Sequence, residues 1–168
     1  SAPGKLFLAG EYAVVEAGNP AMIAAINQYL TVTIEASNSG TVFSSQQGIT
    51  IPWERSGEEI DPQSGSSYAP IFSAMGVAEV YVRALGQQTA AFYALSVDSQ
   101  LDDCQSGTKY GLGSSGALTV ATIKAVLAYY GQEVNAYRLY QLAALSQLQL
   151  GMAGSFGDLA ASSYGGVI

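Results

Sequence analysis

The sequence predicts an α+β fold within one domain. Strand-like segments dominate the first half of the chain, whereas helical segments cluster in the second half, which differs from strict βαβ alternation. Hydrophobic residues make up 49% of the chain and charged residues 11%, a composition typical of folded globular proteins. With 168 residues and no convincing linker, the chain is long enough for one real core and is treated as a single domain, 1–168.

The first half of the chain contains most of the predicted strands. The short apolar run 5–9 predicts a strand that ends before Gly10. Residues 21–26 are apolar and fit either a helix or a strand. In 29–36, threonines and a glutamate alternate with apolar residues, as in a half-buried strand. Residues 41–45 and 48–51 are predicted to pair as a hairpin.

The middle of the chain alternates between loops and regular elements. Residues 52–65 are polar and rich in Glu, Ser, Gly and Pro, which predicts a surface loop. Apolar residues recur at helical spacing over 68–85, and Gly86 is a plausible end of that helix. A strand is expected over 91–97, and the polar segment 98–110 is expected to be a loop.

The last third is predicted to be largely helical. One helix is expected over 116–130, ending before Gly131. A second begins after the cap Asn135 and runs through Leu148. Residues 154–158 open a further turn or short helix, and 164–168 resemble the opening of a strand.

Charge and composition exclude several classes of function. The net charge of −7 disfavours general binding to nucleic acid or to an anionic membrane. There is no histidine and Cys104 is the lone cysteine, which excludes Ser-His-Asp catalysis, an intrachain disulfide and most zinc sites. The most apolar run, 117–130, is shorter than the ~20 residues of a membrane span. With no recognisable signal peptide, we expect a cytoplasmic protein. Any anionic ligand must rely on six cations: Lys5, Arg55, Arg83, Lys109, Lys124 and Arg138.

The strongest local signal is the segment Lys109-Tyr-Gly-Leu-Gly-Ser-Ser-Gly116, which leads directly into a predicted helix. Glycines let the backbone approach an anion closely, and the helix presents free N-terminal amides at the same place. The segment lacks the Lys-Ser/Thr of a Walker A loop and the distant acidic residue of a Rossmann fingerprint. It therefore predicts either a different type of phosphate-binding loop or a Gly/Ser turn that only caps a helix.

Three motifs resemble those of the GHMP kinase superfamily. Gly111-Leu-Gly-Ser-Ser-Gly116 is similar to the nucleotide loop of these kinases. The other two motifs are Ala2-Pro-Gly-Lys-Leu-Phe-Leu-Ala-Gly-Glu-Tyr-Ala-Val-Val15 and Gly154-Ser-Phe-Gly-Asp-Leu-Ala-Ala-Ser-Ser-Tyr-Gly-Gly166. The resemblance implies the GHMP N-terminal domain, which is similar to domain 2 of ribosomal protein S5 and has a mixed sheet with helices packed on it. It also implies a C-terminal domain that these 168 residues do not include.

The resemblance assigns roles to residues in all three motifs. It implies that Lys5 and Asp158 are catalytic, and that both bind the acceptor together with Ser155. We expect Lys5 and Asp158 to form an ion pair, and Glu11 to shape the turn after the first strand rather than take part in the chemistry. ATP and Mg²⁺ are the implied cofactors, with Ser114 and Ser115 as candidate metal ligands. A tyrosine or Trp53 is a candidate for stacking on adenine. The implied phosphate-binding set is Lys109, Gly111, Leu112, Gly113, Ser114, Ser115 and Gly116.

Within the superfamily, the sequence is most similar to phosphomevalonate kinases, which phosphorylate 5-phosphomevalonate with ATP. The features that carry this similarity are the Gly10-Glu-Tyr-Ala-Val start, the loop from Lys109 and the Gly157-Asp-Leu-Ala stretch. Residues 146–153 depart from the pattern of that group, which often has a histidine and a Gln-Gly-Asn-like run there. Two alternatives stay open: another GHMP small-molecule kinase, such as a mevalonate kinase, and a non-catalytic fragment that binds a nucleotide or metabolite.

Overall fold

The computed structural model describes residues 1–62, 68–102 and 111–168. In this part of the chain, six strands and four helices form an α+β fold, as the sequence predicts. The strands are β1 (Ala2–Ala9), β2 (Met22–Ala36), β3 (Gly40–Ser44), β4 (Ile49–Ser56), β5 (Glu59–Pro62) and β6 (Tyr93–Ser99). The helices are α1 (Ala69–Ala84), α2 (Ser114–Tyr129), α3 (Ala136–Gln149) and α4 (Gly157–Tyr164).

All six strands belong to one mixed sheet in the order β1-β2-β6-β3-β4-β5. Neighbouring strands are antiparallel except β3 and β6, which run parallel in the middle of the sheet. Side chains alternate between the two faces of a strand. Tyr93, Leu95 and Val97 of β6 are therefore buried on one face, while Ser96 and Asp98, at alternate positions, are exposed on the other.

The hydrophobic core lies between the buried face of the sheet and the helices. α2 supplies much of it through Val120, Ile123 and Leu127, which are at most 1% exposed. Its neighbours α1 and α3 pack beside it, and α4 packs against both α2 and β1. This arrangement brings the start of α4 and the start of α2 close to β1, which matters for the site described below.

The structure confirms several of the predicted elements. The apolar run at 21–26 is strand, since β2 begins at Met22. The hairpin of β3 and β4 forms across Gln46 and Gln47, as expected. Asn135 caps α3 by accepting a hydrogen bond from the backbone amide of Arg138 at 2.8 Å. Residues 166–168 pair with the start of β2 through a bridge between Val167 and Ala24.

The prediction of a surface loop at 52–65 is wrong for most of its length. β4 continues to Ser56 and pairs with β5, and Trp53 in β4 is only 1% exposed. The exposed residues of this hairpin are polar because only one face of it packs on the core. Residues 63–67 lie outside the described residues, as do 103–110, which include most of the loop predicted at 98–110.

A buried ion-pair network fixes the β4–β5 hairpin to α1. Glu79 of α1 has a side chain only 1% exposed, and it accepts two hydrogen bonds of 2.8 Å from Arg55 of β4. Arg55 also donates to the carbonyls of Ala90 and Ala91 at 2.7 Å. Arg83 adds a second cation 3.4 Å from Glu79. The buried charge is thus paired and hydrogen-bonded, as burial of a charge requires.

None of the described helices is both long and apolar enough to cross a membrane.

Candidate active site

Lys5 lies on the edge strand β1, where the pairing with β2 is irregular. The register shifts between Pro3 and Lys5, and the amide of Lys5 donates instead to the carbonyl of Leu112 at 2.8 Å. The irregularity therefore attaches β1 to the glycine-rich loop, and it directs the ammonium group of Lys5 to the same place. Its Nζ donates to the carbonyl of Gly111 at 3.3 Å, and the side chain is 13% exposed.

The glycine-rich loop ends in the first turn of α2. Gly111 and Gly113 have φ values of 75° and 78°, a left-handed conformation that favours glycine. The first described backbone bond that closes a turn of α2 joins the amide of Ala117 to the carbonyl of Gly113 at 3.0 Å. The amides of residues 114–116 precede that bond, so they have no intrahelical acceptor. The loop thus provides the amide array that the sequence predicts for a phosphate site.

Asp158 approaches this loop from α4. It lies in the first turn of that helix, and its Oδ1 accepts a hydrogen bond from the amide of Leu159 at 2.9 Å. Gly116 leaves room for this carboxylate, since a Cβ at position 116 would lie only 2.5 Å from Oδ2 of Asp158. The carboxylate therefore sits directly against the first turn of α2, close to the positive end of the helix dipole.

Lys5 and Asp158 both line one open cleft of about 260 Å³, which we call the Lys5–Asp158 cleft. Its lining is completed by Phe7, Gln147, Met152, Ala153, Gly154, Ser155 and Phe156. Ser155 Oγ accepts a hydrogen bond from the amide of Gly157 at 3.3 Å, which fixes the turn that precedes α4. The predicted substrate-binding residues Lys5, Ser155 and Asp158 therefore share one cleft.

The charges in the cleft are arranged differently from the sequence-based expectation. An ion pair between Lys5 and Asp158 was expected, but Nζ of Lys5 lies 3.9 Å from Oε1 of Glu11 instead. Within the described residues, no Lys5–Asp158 pair lies within 4.0 Å. Glu11 was expected only to shape the turn after β1, and no short-range pattern indicated its contact with Lys5. The cation and the carboxylate of the cleft are therefore separate groups, each available to a ligand.

Ser114 and Ser115 line a second cleft with a volume of about 190 Å³, which we call the Ser114–Tyr68 cleft. Asp102 also lines it, and its buried Oδ1 has no hydrogen-bond partner among the described residues. The sequence analysis missed Asp102, although the Ser99-x-x-Asp102 spacing is typical of a local turn bond, which forms at 3.1 Å. The rest of the lining is Leu30, Ser44, Gln46, Gln47, Tyr68, Pro70, Ile71, Val97 and Leu118.

The other described cations, including Arg138, line neither of these clefts. Arg55 and Arg83 are held by Glu79 and the nearby backbone. Lys124 lines a different cleft, between α2 and α3. Lys109, predicted to contact phosphate, lies outside the described residues. Among the five cations that the structure describes, only Lys5 lines one of the two clefts.

Comparison with known proteins identifies the family. The sequence profile for the GHMP kinases N terminal domain matches residues 73–166, which is more than half of the chain. The chain belongs to the GHMP kinases. The glycine-rich loop and the Asp158 motif both lie within the matched region, so the resemblance seen in the sequence is confirmed there. The mixed sheet with helices packed on it agrees with the predicted GHMP fold.

Kinases of the mevalonate route are among the similar proteins. A phosphomevalonate kinase from Streptomyces sp. (strain CL190) is 42% identical to this GHMP chain over 180 residues, covering 99% of this chain and 47% of that protein. A mevalonate kinase from Thermococcus onnurineus is 32% identical, covering 100% and 50%. The chain thus spans about half the length of the curated relatives it matches.

Solved structures give the same result. Streptococcus pneumoniae phosphomevalonate kinase in complex with phosphomevalonate and AMPPNP superposes with a TM-score of 0.84 at 30% identity, covering 96% of this chain and 46% of that one. The Lin0012 protein from Listeria innocua superposes with a TM-score of 0.86 at 38% identity, covering 99% and 46%. The GHMP fold therefore extends over nearly the whole of this chain.

One candidate from the sequence is excluded by the structure. Trp53 was a possible adenine-stacking residue, but it is only 1% exposed and packs against Phe92 and Tyr93, at centroid distances of 5.6 and 5.1 Å. Tyr68 is the tyrosine that lines the Ser114–Tyr68 cleft. The catalytic and binding roles of the other residues of this GHMP domain stay predictions, as does its cytoplasmic location.

Proposed function

We propose that this chain is the nucleotide-binding half of an ATP-dependent kinase that converts 5-phosphomevalonate to 5-diphosphomevalonate. The single observation that carries the proposal is that one amide-rich loop connects the linings of two clefts. Lys5 and Asp158, which line one cleft, approach the loop at Gly111 and Gly116, and Ser114 and Ser115 of the loop line the other cleft. An acceptor and a nucleotide bound in these clefts would bring the attacking oxygen and the γ-phosphoryl group together at the start of α2.

The Ser114–Tyr68 cleft suits ATP. The free amides at the start of α2 can bind phosphate oxygens, and Tyr68 with its apolar neighbours offers a surface for the base. The hydroxyls of Ser114 and Ser115 and the carboxylate of Asp102, whose buried Oδ1 has no partner in the described part of the chain, are hard oxygen ligands, which Mg²⁺ prefers. We infer that these residues hold the magnesium together with the nucleotide phosphates. Bound Mg²⁺ would neutralise charge that develops on the transferring phosphoryl group.

Lys5 would stabilise the transfer itself. Its ammonium lies at the loop, on the acceptor side, where it can contact both the γ-phosphoryl group and the acceptor phosphate. A loose transition state spreads negative charge over the equatorial oxygens, and a fixed cation lowers the energy of that charge. The hydrogen bond to Gly111 and the contact with Glu11 hold Lys5 in place before substrate binds.

Asp158 would orient the acceptor rather than act as an obligate base. The acceptor group is a phosphate whose second pKa is about 6, so it is mostly dianionic at neutral pH and needs little help to attack. Its oxygen forms the new bond to the γ-phosphorus as the bond to the leaving ADP oxygen breaks. Asp158 is then best placed to hold a hydroxyl of the acceptor in position.

The relatives bear on the choice of acceptor. The phosphomevalonate kinase match at 42% identity favours a phosphate acceptor over the hydroxyl of mevalonate, since the mevalonate kinase matches are at 32–34%. We also propose that a C-terminal GHMP domain completes the acceptor pocket, because the chain covers only 47% of that relative. The 168 residues alone would then bind ATP weakly and turn over slowly or not at all.

An ADP-release assay on the full-length protein that contains this chain tests the proposal. ADP should form with ATP, Mg²⁺ and 5-phosphomevalonate, and much less should form with mevalonate or without an acceptor. Faster turnover with mevalonate would support the alternative acceptor. Nucleotide binding without ADP release on any acceptor would support a non-catalytic binding domain and would refute the kinase assignment.

A further inference from the structure

Gln147 in the last turns of α3 occupies an unusual position for a polar side chain. It lines the Lys5–Asp158 cleft, yet only 4% of the residue is exposed. Within the described residues its side-chain amide makes no hydrogen bond, whereas its backbone carbonyl accepts bonds of 3.1 Å from Leu150 and Met152. Burying an amide without a partner costs roughly 1–3 kcal/mol, so such a group is expected to have a partner.

Gln147 lines the Lys5–Asp158 cleft although only 4% of the residue is exposed. Within the described residues, Oε1 of Gln141 on the same helix is both buried and without a hydrogen-bond partner, whereas neither amide atom of Gln147 is both. From the position of Gln147 in the lining we infer that its amide reaches the cleft. A group held rigidly by burial, with its polar end at a cleft, is preorganised for a ligand.

The charges and donors of the cleft indicate which ligand atom Gln147 would meet. The described lining contains one cation, Lys5, and one carboxylate, Asp158, whose charges cancel. An acceptor with two anionic groups needs further donors once Lys5 serves the group nearest the loop. Ser155 and Gln147 are the neutral side-chain donors in the described lining, and Ser155 already fixes the turn before α4 by accepting from Gly157.

We propose that the side-chain amide of Gln147 donates a hydrogen bond to an anionic oxygen of the acceptor and so contributes to acceptor specificity. This inference rests on the proposed function, since it assigns a further residue to the same acceptor site. Gln147 does not take part in phosphoryl transfer itself. It contributes to the affinity for the acceptor. The affinity for ATP, which we place in the Ser114–Tyr68 cleft, should not change when Gln147 is replaced.

Three variants of the full-length protein separate this role from a structural one. Gln147→Met keeps the size of the side chain but removes the donor, and Gln147→Glu keeps the shape but places a negative charge at the donor position. Gln149→Met is the matched control, because Gln149 is exposed on the same helix and does not line the cleft. Thermal unfolding of each variant reports whether the fold is intact.

The measurements are the KM for 5-phosphomevalonate, the KM for ATP, kcat, and calorimetric binding of 5-phosphomevalonate without turnover. A hydrogen bond to a charged group corresponds to a loss of about tenfold or more in acceptor affinity for Gln147→Met, with the KM for ATP unchanged. Gln147→Glu should be weaker still, because it repels the anion. The control should match the wild type.

The outcomes distinguish this inference from the proposed function. Wild-type acceptor binding in both Gln147 variants, in an active enzyme, would overturn the role of Gln147 and leave the kinase assignment intact. Equal losses in the KM for ATP and for the acceptor would also overturn it, since they indicate a general structural defect. A wild-type protein that neither binds nor phosphorylates 5-phosphomevalonate would overturn the proposed function and this inference together.

Discussion

Gly113 and Gly111 offer a matched pair of substitutions that tests whether the loop positions Lys5. Both glycines have nearly the same left-handed backbone, with φ values of 78° and 75°. A Cβ on Gly113 would lie 2.6 Å from Cγ of Lys5 and 3.2 Å from its Cε, whereas a Cβ on Gly111 would meet no atom of the described residues within 4 Å. Alanine at either position carries the same backbone cost, but only alanine at Gly113 displaces Lys5.

The expected magnitudes follow from these contacts. The left-handed conformation costs an alanine about 1–2 kcal/mol, so Gly111→Ala and Gly113→Ala should lower the free energy of unfolding by similar amounts. In Gly113→Ala the stem of Lys5 must also move, since real Cβ contacts are not found at 2.6 Å. A displacement of about 1 Å at a reacting group costs roughly 100-fold in rate. We therefore expect kcat to fall by about that factor in Gly113→Ala alone.

Urea unfolding and steady-state kinetics of the full-length protein provide the two measurements. Gly111→Ala should lose stability yet keep a kcat close to that of the wild type. Equal kcat values for the two alanine variants would show that the loop does not hold Lys5 in a catalytic position, and the reasoning about this contact would then be wrong.

Three further predictions address the charges of the molecule. Lys5→Ala should abolish phosphoryl transfer, while its ATP affinity, measured by calorimetry, should stay within roughly tenfold of the wild-type value. The control Lys124→Ala replaces an exposed lysine and should be as active as the wild type. Glu79→Gln should destabilise the fold by about 3 kcal/mol in urea, because it leaves two arginines without their buried partner, whereas the exposed Glu58→Gln should cost less than about 1 kcal/mol. Burial, and then the charge of Glu79, raises the pKa of Tyr130 to about 12. Since the pKa of tyrosine in the unfolded chain is about 10, the free energy of unfolding should fall as the pH rises from about 10 to 12. Tyr130→Phe should reduce that fall, as measured by urea unfolding at alkaline pH. An unchanged dependence of the free energy of unfolding on pH would contradict this account.

The elements that the sequence predicts well are those whose signals are local. Helix α2 follows from an apolar run between a glycine-rich loop and Gly131, and the cap of α3 follows from Asn135 alone. The β4–β5 hairpin was missed because its outer face is polar and its stability depends on distant partners. Arg55 in β4 is held by Glu79, which lies 24 residues later on α1, and composition over a short window cannot reveal such a pair.

The residues of the candidate site likewise fall into those that a local motif predicts and those that only the tertiary structure reveals. The motifs identified Lys5, Ser155 and Asp158, which share a cleft, because each motif has a recognisable local spacing. Glu11 and Gln147 were not assigned to the site from the sequence. The contact of Glu11 with Lys5 and the place of Gln147 in the cleft lining depend on packing across the whole domain rather than on neighbours in the sequence.

The glycines of the motifs explain how three segments so far apart in sequence form one site. Gly113 has a backbone that favours glycine, but neither Gly4 nor Gly116 has a positive φ. A Cβ on Gly4 would lie 2.7 Å from the carbonyl oxygen of Leu112, and one on Gly116 would lie 2.5 Å from Oδ2 of Asp158. These two glycines are therefore required because neighbouring segments approach too closely for any side chain. Close approach at both points brings β1 and α4 onto opposite ends of the same loop, so the cation of one and the carboxylate of the other reach a single cleft.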